Sequence, residues 1–283
     1  MQAKTIDVVW HRRSRRIAPV HWAVEQYAEH WRRAGWTVRH RFGIPRTWQR
    51  LARLTLLHVD LSVVPANYRH WALSASQRGL VWNAQIHDIR KSRISSNLLL
   101  PDDNWTGRVI VKTDRNCGAR PEGAQRFSVH DKVWRDAGYP EKKEYLVKDS
   151  LADVPAWAWH SPHWIVERYF DHHEGGSSLW TLTIIGTEME LVRFSTNSPD
   201  ANDRRRYTAW ECHEVDDALR TMVSQLGIDY GRLDLFRVAD RWELIDVNKT
   251  PGRYPRQDAE PARQAFYDRR ISDQARALLN QVG

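Results

Sequence analysis

The sequence predicts an α/β (α+β) fold, with a parallel layer near the N-terminus and an antiparallel sheet near the C-terminus. Two observations carry that expectation. Short β-branched strands alternate with helical stretches over residues 1–90, the order that builds parallel sheets. Far downstream, RLDLFRVADRWELIDVNKTPG (232–252) reads as two alternating strands around a tight turn, which must pair antiparallel.

Residues 5–10 (TIDVVW) form the first strand. Val24, Tyr27, Ala28 and Trp31 recur at helical spacing, and Gly35 follows where a helix ends. Residues 37–42 read as a second strand. The strongest apolar run of this part, LTLLHVDLSVV (54–64), stops at Pro65. A helix at 68–77 and a short strand at 80–82 follow. Ligands of parallel sheets lie beyond the C-terminal strand ends, and the first strand runs into His11-Arg12-Arg13-Ser14-Arg15-Arg16. An anionic substrate is expected there, although a solvated surface cluster explains the arginines equally well.

Residues 93–165 are expected as a smaller subdomain with a strand at 109–112 and a helix at 128–137. Residues 166–283 hold a second strand set, a helix at 216–226 closed by Gly227, the hairpin, and a final helix at 260–282. Residues 195–206 (STNSPDANDRRR) are polar and turn-rich, either a mobile loop near the site or an inert insertion. The chain is thus expected to divide into 1–92, 93–165 and 166–283.

The hairpin is the most informative segment. Side chains two apart share a strand face. A three-residue loop, Ala239-Asp240-Arg241, sets Asp234 opposite Asp246, Arg232 opposite Asn248 and Leu233 opposite Val247. It also pairs Leu235 with Ile245, Phe236 with Leu244, and Val238 with Trp242. Directly opposed carboxylates repel, so a cation is expected between them, and Asp, Asp and Asn oxygens favour Mg²⁺ or Mn²⁺ over Zn²⁺. Neutralising one acid is then expected to leave the metal-free fold as stable as before, or slightly more so. An exposed hairpin whose acids face water is the competing reading.

This stretch resembles the metal-binding end of the ATP-grasp superfamily, where an acidic strand precedes an acid-x-Asn pair and often Pro-Gly. Here these are Asp234, Asp246-Val247-Asn248 and Pro251-Gly252. Further matches run in order across residues 83–252: Asn83 with DIRKSR (88–93), VIVK (109–112) with TDRNCGA (113–119), and WIVERYF (164–170). The resemblance implies that Asp234, Asp246 and Asn248 hold the ions bridging the ATP phosphates. Lys91, in preference to Arg93, and Lys112 would contact nucleotide phosphates, with the Gly118 loop closing over them. Glu167 would lie near the adenine amino group, with Tyr169 in the same hinge and Glu174 on the ribose hydroxyls. Arg232 would touch phosphate or bound substrate, acting with Lys112 in catalysis. Asp246 stands where the family more often has Glu, and one glycine stands where a pair is usual. The implied architecture is an ATP-grasp fold with a parallel pre-ATP-grasp domain, a small lid and a C-terminal antiparallel subdomain. The implied activity is an ATP- and Mg²⁺-dependent ligase that phosphorylates a carboxylate for attack by an amine or similar nucleophile. A small-molecule kinase on the same fold and a non-catalytic nucleotide-binding protein are the alternatives.

Composition narrows the rest. The 283 residues contain neither GxxxxGK[ST] nor GxSxG, and only Cys117 and Cys212, a count that suits a reducing cytosol and offers no metal pattern. No apolar run approaches the roughly 20 residues of a membrane span, and the N-terminus lacks the layout of a signal peptide. A cytoplasmic protein away from membranes is expected, and a homodimer is compatible with the sequence. Most of the 15 Trp and 13 His read as structural, including His160, His163 and the His172-His173 pair. The net charge of +8 includes short arginine clusters at 12–16 and 204–206. ATP and an anionic small-molecule or peptide substrate account for them; nucleic acid, transfer RNA included, is the weaker expectation.

Overall fold

Residues 4–16, 19–46, 52–127, 133, 145–170, 178–196, 207–254 and 260–282 are described in the structure of the protein, a computed structural model. Strands β1 (Thr5–Trp10), β2 (Thr37–Phe42), β3 (Leu54–Leu57) and β4 (Val81–Trp82) form a parallel sheet ordered β2-β1-β3-β4. Every residue of β1 and β3 is buried, as in a sheet covered on both faces. The helix Ala23–Arg33 packs Val24, Tyr27, Ala28 and Trp31 into one cluster with Ile6, Val8 and Trp10. Gly35, at φ 81°, follows its end as predicted. The helix Ala66–Ser76 covers the other face, with Tyr68, Trp71, Ala72 and Ala75 clustered with Val9 and Leu57. The apolar run 54–64 is strand only over its first four residues. Beyond them it leaves the sheet as a loop carrying Val59, Asp60 and Ser62.

Strands β5 (Val109–Thr113), β6 (Leu146–Lys148) and β7 (Trp164–Arg168) make an antiparallel sheet ordered β6-β5-β7. A third sheet, also antiparallel, joins β8 (Leu179–Ile185), β9 (Glu188–Thr196), β10 (Tyr207–His213), β11 (Tyr230–Val238) and β12 (Arg241–Asn248) in the order β10-β9-β8-β11-β12. β8 is buried throughout because a helix lies on each face. Trp180, Leu182 and Ile184 cluster with Leu219 and Val223 of the helix Asp217–Leu226. Leu179 and Ile185 cluster with Phe266, Ile271 and Leu278 of the helix Pro261–Val282. Asp216 caps the former helix, accepting a hydrogen bond from the Leu219 amide at 2.9 Å, and Gly227 ends it at φ 63°. The expected helix at 128–137 lies outside the described residues apart from Val133, as do residues 197–206 of the polar loop.

The β11–β12 hairpin follows the predicted register at one end and departs from it at the other. Arg232 pairs with Asn248, Leu233 with Val247, and Asp234 with Asp246. Past a register shift, Leu235 pairs with Leu244, Phe236 with Glu243, and Val238 with Arg241. The loop therefore has two residues, Ala239 and Asp240, and not three. A bulge at Ile245 absorbs the extra position, and Ala239 takes the positive φ, 52°, that a tight two-residue turn demands.

Candidate active site

Strand pairing alone lines up two polar rows on the five-stranded sheet. Glu190, Thr183, Arg232 and Asn248 are neighbours across β9, β8, β11 and β12. The next row is Val192, Thr181, Asp234 and Asp246. Partners in register share a face, so Arg232, Asp234, Asp246 and Asn248 present one surface. Thr181 Oγ1 donates to Asp234 Oδ1 at 3.3 Å. At the far end Arg270, from the last helix, donates to Glu190 Oε2 at 2.7 Å and to Thr183 Oγ1 at 3.0 Å.

The opposed acids do not face each other uncompensated. Arg232 Nε lies 3.2 Å from Asp234 Oδ1, and Lys91 Nζ lies 3.2 Å from Asp246 Oδ1. Within the chain itself, Arg232 and Lys91 thus stand as cations beside the two opposed acids. Lys91 opens the short helical turn Lys91–Ile94, which is tied to the end of β5. Its amide donates to the Asp114 carbonyl at 2.9 Å, and the Ser92 amide donates to Asp114 Oδ1 at 2.8 Å. Lys91 Nζ also donates to Asn116 Oδ1 at 3.3 Å, while Asn116 Nδ2 donates to the Val247 carbonyl at 2.8 Å. Burial is the largest single influence on Lys91 and disfavours its charge. Asp246, Tyr145 and Glu167 together outweigh it and hold the pKa above the ordinary lysine value.

The second lysine comes from the three-stranded sheet. Lys112 on β5 pairs with Ile165, and Glu167 on β7 pairs with Ile110, so the two charged residues are diagonal neighbours. Lys112 Nζ lies 2.5 Å from Glu167 Oε2. Glu167 Oε1 is buried with no hydrogen-bond partner among the described residues. The structure therefore brings Lys91 to Asp246 on the row of Arg232, Asp234 and Asn248, and brings Lys112 to Glu167, whose charge acts on Lys91. Tyr169 is held elsewhere, its ring beneath the Arg108 guanidinium at 4.7 Å and its amide donating to the Arg108 carbonyl at 3.0 Å. Glu174 lies outside the described residues. Arg93 is exposed, 4.0 Å from Asp88. Asn83 is a buried clamp: at φ 61° it donates to the Tyr230 carbonyl at 2.8 Å and accepts from the Asp229 and Tyr230 amides, each at 3.0 Å.

The loop after β5 turns through Cys117, Gly118 and Ala119 at φ 49°, 63° and 58°. Three successive left-handed residues, two with side chains, are costly, and the Asn116 anchor on β12 helps hold them. A second set of ties fixes the end of β12. Lys249 Nζ donates to the Val59 carbonyl, Thr250 Oγ1 donates to Asp60 Oδ1 at 2.7 Å, and the Thr250 amide donates to Asn248 Oδ1 at 3.1 Å. Burial pushes Lys249 down to about 8 and raises Asp60. Gln125 Nε2 donates to the Asp60 carbonyl, and Arg13 Nη1 donates to the Gln125 and Arg126 carbonyls, each at 3.1 Å, with its guanidinium 5.0 Å from the Phe127 ring centre. The predicted arginine cluster is thereby linked through residues 125 and 60 to Asn248. The cluster at 204–206 lies outside the described residues.

The donors fit a hard divalent ion. Asp234, Asp246 and Asn248 offer oxygen alone, and Asp246 Oδ1 is buried with no aligned hydrogen-bond donor, its lysine being an ion-pair contact. No group of three His, Cys, Asp or Glu side chains at metal-binding separation occurs among the described residues, so the set depends on the Asn. Asn116, Thr181, Thr183 and Arg270 escaped sequence reasoning. The threonines had a signal, polar residues at period two inside the otherwise apolar LWTLTII; Arg270 had none.

No helix among the described residues is long and apolar enough to cross a membrane. No family model and no curated relative matches the chain. Solved structures do. The ATP-grasp ligase PsnB complexed with minimal precursor matches with a TM-score of 0.56 at 10% identity, over 100% of this chain and 99% of that one. The same ligase with a phosphomimetic variant of the minimal precursor, Mg and ADP matches with 0.56 at 12%, over 100% of both chains. The macrocyclase MdnC from Microcystis aeruginosa MRC, bound with precursor peptide MdnA, matches with 0.52 at 11%, over 98% and 99%. Matches that run over 98–100% of this chain show its fold: it is the fold that these ATP-grasp ligases share.

Proposed function

We propose that the chain is an ATP- and Mg²⁺-dependent ligase that joins a carboxylate to an amine or similar nucleophile. The observation that carries this reading is Lys91 reaching Asp246 on the face that presents Arg232, Asp234 and Asn248, with the Lys112–Glu167 pair close enough for Glu167 to act on Lys91. The buried Lys91 and the partly exposed Lys112, together with the oxygen-only donor row, form a receptacle for a metal-bound polyphosphate. Asp234, Asp246 and Asn248 would hold a divalent ion, which would supply charge neutralisation on the phosphates. The chain's own groups do the rest by position. Lys112 and Lys91 offset negative charge on the transferring phosphoryl group. Arg232 sits beside the donor row, where it can steady the attacking carboxylate. The substrate carboxylate oxygen bonds to the γ-phosphorus as ADP leaves; the amine then bonds to the acyl carbon as phosphate leaves. No protein nucleophile takes part.

PsnB and MdnC are solved with peptide precursors, which favours a peptide carboxylate as the anionic substrate here. Arg12, Arg13 and Arg15, exposed beyond β1, are the proposed contacts for it, and Arg13 is linked through Gln125, Asp60 and Thr250 to Asn248. Tyr169 and Glu174 are proposed for the adenosine end, and the division 1–92, 93–165 and 166–283 for the domains.

The test is calorimetric titration with a non-hydrolysable ATP analogue and Mg²⁺. Lys112→Ala should weaken binding at least tenfold, about 1.4 kcal/mol; unchanged affinity in a folded variant removes this lysine from the phosphate site. Product analysis separates the alternatives. ADP and phosphate released only when carboxylate and amine are both present marks a ligase, whereas a stable phosphorylated product marks a kinase.

A further inference from the structure

We propose that Lys91 is a resident cation that holds Asp246 in the nucleotide-free protein and yields it when metal and nucleotide arrive together. The inference rests on the reading of Asp234, Asp246 and Asn248 as metal ligands. Two cations face two anions at this spot: Arg232 with Asp234, Lys91 with Asp246, each pair at 3.2 Å. The two cations differ in origin. Arg232 shares a strand with its acid, whereas Lys91 reaches Asp246 from a separate helical turn. A divalent ion entering this balanced quartet gains little Coulomb energy, because each carboxylate is already compensated. An incoming polyphosphate changes the balance by giving the Lys91 ammonium a new anionic partner, which frees Asp246 for the ion. Asn116 makes the exchange feasible. Its Oδ1 accepts from Lys91 at 3.3 Å, and its amide is anchored on the Val247 carbonyl at 2.8 Å. The ammonium can therefore leave Asp246 without losing every acceptor.

By linkage, metal and nucleotide then raise each other's affinity by the same factor. Metal alone binds poorly, so the site does not fill with an ion before its nucleotide. Lys91 acts in this through Asp246, as a positioning residue for the metal.

The experiment is a Mn²⁺ titration followed by electron paramagnetic resonance on the full chain, with and without a non-hydrolysable ATP analogue. Without nucleotide, Lys91→Met should bind Mn²⁺ at least tenfold more tightly than wild type, and Lys91→Arg should remain as weak as wild type. The analogue's enhancement of Mn²⁺ affinity should shrink in Lys91→Met. If that variant does not fold, Lys91→Gln, likewise uncharged, carries the same expectation. Nucleotide-free Mn²⁺ affinity no tighter than wild type in the neutral variant overturns the proposal while leaving the metal site intact. If Asp234→Asn and Asp246→Asn leave Mn²⁺ binding unchanged even with the analogue, the metal reading fails and takes this proposal with it.

Discussion

The two lysine–carboxylate pairs beside the site share a chemistry and differ in burial. In the Lys112–Glu167 pair the lysine side chain is 12% exposed and the acid only 1%. In the Lys91–Asp246 pair the lysine is 4% exposed and the acid 32%. One pair traps an anion and the other traps a cation. The partner that reaches water can be left alone at small cost, since solvent replaces what it loses. The enclosed partner cannot. Which residue is changed therefore decides how large the effect is, and the two pairs should answer in opposite order.

The largest effect is expected for Lys112→Met. It strands the Glu167 carboxylate, whose Oε1 already has no partner among the described residues. Breaking an enclosed pair from this side should lower unfolding free energy by about 3–5 kcal/mol, measured by urea denaturation. Adding Glu167→Gln should recover most of that loss, because the stranded charge is gone. Failure of the second substitution to rescue the first would place the damage in packing and not in charge.

Next comes Asp246→Asn, which leaves Lys91 enclosed with weaker acceptors. A loss of about 2–3 kcal/mol is expected in the absence of metal. The sequence predicts the contrary, because two opposed carboxylates with nothing between them should gain from neutralising one. Lys91 and Arg232 reverse that expectation. A metal-free thermal melt of Asp246→Asn that matches or exceeds wild type would restore the simple repulsion argument.

How far the site was legible follows from the same residues. Asp234, Asp246 and Asn248 fell into register because Leu233 and Val247 alternate cleanly with them, so any slip exposes apolar side chains. The turn end was not legible. Ile245 is apolar and reads as an ordinary strand residue, so nothing marks it as the bulge, and Ala239 carries no glycine signal for its positive φ. Lys112 was legible from the strand that ends at it. Lys91 was found by order along the chain, but its attachment to Asp246 spans 155 positions, the difference of the two residue numbers, and no local pattern encodes such a contact. Asn83 was drawn toward the nucleotide by the same reasoning and proves to be a backbone clamp, because an Asn at positive φ suits both roles. In the N-terminal sheet β1 and the start of β3 were readable, since fully buried strands write themselves as apolar runs, whereas the end of β3 inside the run 54–64 was not. Arg270 and Glu190 meet only in the folded chain.

His58 extends the comparison to an enclosed titratable group with no counter-ion. It is fully buried, 4.3 Å from the Trp10 ring, and neither ring nitrogen meets a hydrogen-bond partner among the described residues. Burial, and then the Lys249 charge, push its pKa down to about 3. The folded value lies below the unfolded one, so its contribution is full above about pH 6.5 and is lost as pH falls from there towards 3. Between pH 6.5 and 5.5 wild type should lose about 1 kcal/mol more than His58→Phe. Parallel stability curves for the two proteins over that interval would show that the ring is not held neutral.

The smallest effect is expected for Lys91→Met, and it is the sharpest test of the comparison. Removing Lys91 regains the desolvation that burial imposes on its ammonium, the largest influence on that group. Methionine keeps most of the aliphatic length, so little packing is lost. Asp246 keeps a third of its side chain in water, and although the Oδ1 that faces Lys91 is buried, water at the rest of the carboxylate can hydrate the charge that Lys91 relinquishes. Asn116 Oδ1 loses a donor, while Asn116 Nδ2 keeps its bond to the Val247 carbonyl. These terms nearly cancel, and the change in metal-free stability should stay within about 1 kcal/mol of wild type in urea. Asp246→Asn, at the other end of the same 3.2 Å contact, should cost more. If instead Lys91→Met loses more than Asp246→Asn, the carboxylate depends on the lysine and the asymmetry drawn from exposure runs the wrong way.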